Sequence, residues 1–169
     1  MRVGLILGGA ALLPVGAPAH AEMTRSFPVS ASVVNGCSVN ADATQGWGRI
    51  DMGTTPGTAG ARAEGSLVSA GGAGIAVECT PGVTATLSAD GGDNAAGGAR
   101  RLRQSGGSAT IAYQLFADGS SSEWAASPVS LPFAPGSGQR LVPIRAVATL
   151  AGAQPAGTYT DTVRITLTW

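Results

Sequence analysis

From Tyr159 to Trp169 the chain alternates with a period of two. Tyr159, Asp161, Val163, Ile165, Leu167 and Trp169 share one face, apolar except for Asp161, while Thr160, Thr162, Arg164, Thr166 and Thr168 share the other. That period predicts a strand buried on one side, and β-branched and aromatic residues suit its pleat. The alternation runs to the last residue. An amphipathic strand needs a neighbour on each edge, so the sheet is expected to be finished by some route other than the next strand in sequence.

Similar runs recur upstream. Phe27, Val29, Ala31 and Val33 alternate with Pro28, Ser30 and Ser32, which predicts a first strand, edge-bound or late to enter because Pro28 lacks an amide proton. Cys37 to Val39 continues after an Asn35-Gly36 turn. Further strands are predicted over 47–52, 74–79, 83–89, 111–116 and 141–150, and the residues between 52 and 74 read as a loop. Asp90-Gly-Gly-Asp-Asn94, Pro81-Gly82 and Asp118-Gly119 supply turns. No stretch keeps a helical period. Short strands between Gly/Pro turns argue for an all-β, antiparallel sandwich.

The first 21 residues change the compartment rather than the fold. Arg2, an apolar run from Val3 to Val15 and the small residues of Ala19-His20-Ala21 read as a signal peptide cleaved after Ala21. The run is too short to span a bilayer, so the mature chain is expected to be exported with no membrane anchor. Without Arg2, nine arginines face ten carboxylates, a balance that gives no reason to expect nucleic acid as a partner. Cys37 and Cys79 form an even pair in an exported chain and read as a disulfide, worth roughly 4 kcal/mol on the chain-entropy model.

Catalysis finds little support. The only histidine, His20, leaves with the signal peptide, the chain has no lysine, and no Gly-x-Ser-x-Gly elbow occurs. No catalytic residue, cofactor or metal site is therefore assigned. Asp90, Asp93 and Asn94 hint at a calcium loop but lack the distal Glu of an EF-hand, so a solvated hairpin is expected there. Arg100, Arg101 and Arg103 read as charges on the solvent face of an edge strand. Trp124 and Phe133, in a Pro-rich stretch, leave open a low-weight reading as a secreted carbohydrate-binding module, although packing under a loop is the commoner use of such residues.

The ordered run of motifs resembles the spore coat protein U domain family, which includes subunits of archaic chaperone–usher pili. It begins with Phe27-x-Val-x-Ala-x-Val and Cys37-x-Val and continues through Ile50-Asp-Met-Gly53, Val77-Glu-Cys79-Thr and Leu87-Ser-Ala-Asp-Gly91-Gly. Arg101-Leu, Tyr113-Gln-Leu-Phe116-Ala-Asp118 and Pro155-Ala-Gly157-Thr-Tyr159-Thr-Asp161-Thr-Val163 complete it. Met52, where the family usually has Phe, and Ala125, where Gly is often seen, depart from its pattern.

The resemblance implies an immunoglobulin-like sandwich that lacks its final strand and is completed by a donor strand. It implies three sets of partners: a periplasmic chaperone, an outer-membrane usher and other pilin subunits. On this reading residues 22–36 are an N-terminal extension whose Phe27, Val29, Ala31 and Val33 plug a groove, and residues 37–169 are the domain. Tyr159, Val163, Ile165, Leu167 and Trp169 would wall that groove. The function implied is a structural subunit of a surface fimbria, serving adhesion or biofilm formation. Two questions stay open: whether the N-terminal segment pairs in trans or folds back in cis, and whether the protein is instead a self-complemented coat or matrix component.

Overall fold

The computed structural model describes residues 23–41 and 46–169. The expected signal peptide, residues 1–21, lies outside them. The described residues from 33 to 169 form one compact unit, and residues 23–32 belong to a separate one. In the described part of the N-terminal unit there is no strand, and the first strand expected over Phe27 to Val33 does not form. Phe27, Val29 and Val33 are exposed to 81%, 85% and 89%.

Among the described residues twelve strands build the body: β1 (Cys37–Val39), β2 (Arg49–Ile50), β3 (Arg62–Val68), β4 (Ile75–Cys79), β5 (Thr84–Ala89), β6 (Arg100–Gln104), β7 (Thr110–Ala117), β8 (Val129–Pro132), β9 (Gln139–Val142), β10 (Ile144–Thr149), β11 (Tyr159–Thr160) and β12 (Ile165–Thr168). All pairings are antiparallel. One layer has the order β11-β6-β7-β10-β3-β2, and the other is made of β1-β4-β9 and β12-β5-β8. The Phe133 amide donates to the Val83 carbonyl, Gly82 to Phe133, and Cys79 to Gly138, so β4–β5 and β8–β9 run as one long antiparallel ladder with a kink. No described helix is long and apolar enough to cross a membrane.

The core lies between the layers. Ile75, Val77, Ala85, Leu87, Leu131 and Val142 come from the second layer, and Leu67, Leu115, Ile144, Ala146 and Ala148 from the first. Trp124 and Phe133 are buried in this same core, not displayed on a surface, so the residues named for a carbohydrate-binding reading are packing residues.

The structure corrects three sequence expectations. The stretch 141–150 is not one strand: Pro143 divides β9 from β10, and the two belong to different layers. β3 lies within what reads as a loop, because Gly65 and the charges of Arg62 and Glu64 obscure the alternation that buries Leu67. Arg100 is only 5% exposed. Its Nη1 donates to the Trp124 carbonyl at 2.6 Å, its Nε to Asp90 at 2.9 Å and its Nη2 to Ala125 at 3.2 Å, so it ties the end of β5 to the loop after β7. A buried guanidinium is tolerated only when its donors are met in this way.

Cys37 and Cys79 stand directly opposite in the β1–β4 ladder and are joined by a disulfide, Cα–Cα 4.0 Å. The flanking pairs carry the hydrogen bonds, Thr80 to the Gly36 carbonyl and Asn40 to Ala76, so the cysteines occupy the position where opposed Cα atoms come closest. Since β1 has three residues, the disulfide is its main fastening. Replacing both cysteines by alanine should lower stability by about 4 kcal/mol; denaturant titration of the oxidised parent against the double variant measures it.

Candidate functional site at an open sheet edge

β1 and β12 both lie across the β4–β5 ladder from β8–β9, and no described strand pairs with their outer sides. Hydrogen-bond parity shows what that edge presents. Arg164 and Thr162 turn their carbonyls inward to the amides of Asp90 and Asp93. In an antiparallel ladder the direction alternates residue by residue. Val163, Ile165 and Leu167 therefore point their backbone N–H and C=O groups at the open side, as do Cys37 and Val39 on β1. The same residues turn their side chains toward the core, where they are only half-buried, whereas Ala85 and Leu87 on the adjoining strand are fully buried.

β12 and β1 follow one another along this edge, and where they approach lies a cleft of about 400 Å³ lined by Cys37, Ser38, Val39, Trp47, Ile165, Thr166, Leu167 and Trp169. Half-buried apolar side chains beside a row of free backbone groups are what an added β-strand requires: the backbone supplies hydrogen bonds and alternate side chains fill the pocket.

The remaining described edges are blunted. β2 and β11 are two residues long. Along β8–β9 the parity set by the Phe133–Val83 and Cys79–Gly138 bonds turns the nitrogens of Pro132 and Pro143 outward, where each withholds a donor. Short edges and edge prolines suppress pairing, so strand addition is directed to β1 and β12.

The expected groove wall is divided by the structure. Tyr159 lies on β11 in the other layer, paired with Gln104, and its hydroxyl donates to the Pro155 carbonyl. Val163, Ile165, Leu167 and Trp169 remain at the open edge, with Trp169 59% exposed. Trp47 and Val39 belong to the cleft although the sequence reading named neither as a groove residue; only their positions on an alternating, apolar face hinted at it.

Asp161 holds the crossing between the layers. Its Oδ1 accepts the Asn94 amide at 3.1 Å and the Asn94 side chain at 2.9 Å, while Oδ2 accepts the Tyr113 hydroxyl at 2.7 Å. Burial first, then the hydrogen bond to this carboxylate, raises the Tyr113 pKa, so the phenol stays a neutral donor. Gly92 makes room. With φ of +85°, a Cβ there would clash with the Asp161 carboxylate. The residues that hinted at a calcium loop serve this junction too: Asp90 and Asp93 bind the Arg164 guanidinium at 3.4 and 2.7 Å. Among the described residues no group of three or more His, Cys, Asp or Glu side chains could hold a metal.

A family model, the Spore Coat Protein U domain, matches residues 23–166. No curated protein matches the chain. The structure is similar to a crystal structure of the CsuC–CsuE chaperone–tip adhesion subunit pre-assembly complex from archaic chaperone-usher Csu pili of Acinetobacter baumannii. The TM-score is 0.52 at 20% identity, over 81% of this chain and 40% of that one. The chain thus spans less than half of the solved chain it matches, and the likeness is one of fold.

Asp161→Ala should cost about 2 kcal/mol and Tyr113→Phe about 1 kcal/mol. The two effects should be non-additive in a double-mutant cycle read by denaturant titration. The pH response of the same junction follows from Asp90. Burial, the largest single influence, raises its pKa, but hydrogen bonds from Arg164 and Gly92 and the charge of Arg164 together outweigh it and the net shift is downward. A depressed carboxylate contributes stability above its unfolded pKa, and that contribution is lost as pH falls through the folded value. The melting temperature should fall below about pH 4, and Asp90→Asn should flatten that fall.

Proposed function

Because the chain belongs to the spore coat protein U domain family, we propose that it is an exported structural subunit of a surface pilus, assembled by donation of a β-strand from one subunit to the next. The observation that carries this reading is the pairing of two uncovered surfaces in one sequence. One is the β1/β12 edge with its apolar cleft. The other is the segment 24–34, whose Phe27, Val29, Ala31 and Val33 alternate with polar residues and which has no strand of its own.

Each surface is costly alone. Burying a large apolar side chain is worth roughly 1.5–3 kcal/mol, and each backbone bond formed in the cleft adds about 1 kcal/mol. Donation in trans covers both surfaces at once and links copy to copy without covalent chemistry. The partners in this scheme are a periplasmic chaperone that covers the groove before assembly, an outer-membrane usher through which the filament is built, and other pilin subunits. The protein passes through the periplasm and ends in a fimbria at the cell surface, where it serves adhesion or biofilm formation. No enzymatic step is assigned.

An unboiled SDS gel of periplasmic extract, with and without a co-expressed cognate chaperone, tests the scheme. Strand exchange produces a ladder that collapses to monomer on boiling and disappears when residues 22–33 are deleted. A deletion variant that still polymerises, or a soluble monomer made equally well without the chaperone, points instead to a self-complemented coat or matrix protein.

A further inference from the structure

The Asn35-Gly36 turn does more than lead into β1. Asparagine followed by glycine is a pair open to self-conversion, because no Cβ beside the glycine nitrogen crowds its approach to the asparagine side chain. The fold itself does not require glycine at this position. A Cβ built on Gly36 meets nothing within 4 Å, and its backbone lies outside the positive-φ region that Gly53, Gly82 and Gly119 occupy. Of the described glycines only Gly152 shares both properties.

The other residues open to the same chemistry are held or shielded. Asn94, followed by Ala95, gives its side-chain amide to Asp161 at 2.9 Å and to the Thr160 carbonyl at 3.2 Å. Asp90, before Gly91, receives the amides of Gly92 and Arg164 on its carboxylate, both at 2.9 Å. Asp118, before Gly119, is paired with Arg140 at 2.5 Å. Asn40 precedes Ala41, whose Cβ crowds the nitrogen. Asn35 is exposed, lies outside any strand, and no described group hydrogen-bonds its side chain.

One contact restrains the turn. The Gly36 amide donates to the Thr80 hydroxyl at 3.0 Å, and the Thr80 amide donates to the Gly36 carbonyl at 2.9 Å. The hydroxyl thus occupies the N–H that must be given up before this nitrogen can attack.

We propose that Asn35 is a site of self-modification and that the Thr80 hydroxyl sets its rate. The Gly36 nitrogen closes on the side-chain carbonyl carbon of Asn35. The bond from that carbon to the side-chain nitrogen breaks, and ammonia leaves with the proton that Gly36 gives up. Water then opens the cyclic imide at either carbonyl and yields aspartate or isoaspartate. Water enters and ammonia departs, so no oxidant or reductant is involved. The product carries a new negative charge, and isoaspartate adds a methylene to the main chain between the segment 24–34 and β1. Arg25 is the only charged residue from Thr24 to Asn40, so the conversion alters the charge of this joint as well as its length.

The full-length exported chain, purified with its disulfide intact and held at neutral and at mildly alkaline pH, tests this. Intact mass follows the change from amide to acid, peptide mapping places it, and enzymatic methylation of isoaspartate counts that product. Asn35 should convert before any other residue, and faster at the higher pH because the amide nitrogen must lose its proton. Gly36→Ala, which the open space around Gly36 accommodates, should slow the conversion several-fold. Thr80→Val should convert roughly fivefold faster than the parent, the fold-change of one ordinary hydrogen bond. Thr80→Ser, which keeps the hydroxyl, should convert at the parental rate. An Asn35 that stays intact in both the parent and Thr80→Val overturns the site, as does earlier conversion at Asn40 or Asn94, or an unchanged rate in Gly36→Ala. Equal rates in Thr80→Val and the parent overturn the role of the hydroxyl. So does a Thr80→Val chain in which Asn94 accelerates alongside Asn35, the mark of general loosening.

Discussion

A half-buried strand with one unpaired edge is the constraint on which the molecule turns. Val163, Ile165 and Leu167 place apolar side chains toward the core and backbone polar groups toward open space. A water-filled groove satisfies the second requirement and defeats the first. Only another strand meets both, because it alone brings alternating apolar side chains together with a periodic row of donors and acceptors. The cleft at β1 and β12 follows from that unmet need, and so does the blunting of the other edges by Pro132, Pro143 and two-residue strands.

The rest of the fold keeps this edge in place without closing it. The Cys37–Cys79 disulfide holds a three-residue strand that would have little hold otherwise. Asp161, received by Tyr113 and Asn94 and accommodated by Gly92, directs the chain from the six-stranded layer into the opposite one, so that β12 reaches β5. Arg100 gathers the carbonyls of Asp90, Trp124 and Ala125 behind the same junction. These polar contacts sit where strands change layers, the places where sheet hydrogen bonds are interrupted and backbone groups need other partners.

Much of this was legible in the sequence. Period-two alternation located β4, β5, β7 and the inward faces of β10 and β12, because half-burial selects side chains directly at every second position. It failed at β3, where Gly65 and paired surface charges dilute the pattern. It failed again at Arg100, where charge composition suggested solvent and the carbonyl cage that buries the residue is assembled from segments distant in sequence. The two tryptophans read differently for a similar reason: Trp124 is enclosed by the core and Trp47 borders the cleft, and local sequence does not separate the two environments.

The sequence by itself determined the all-β class, the alternating faces of the terminal segment and the apolar strip at Phe27 to Val33, since each is written in residues adjacent along the chain. The tertiary structure alone decided that the expected strand over 159–169 divides at the Asp161 crossing, leaving Tyr159 in one layer and Ile165 to Trp169 beside the cleft. It alone decided that Val39 and Trp47 join them and which backbone groups face outward. Those outcomes depend on register and layer assignment, which are set by contacts between residues tens of positions apart.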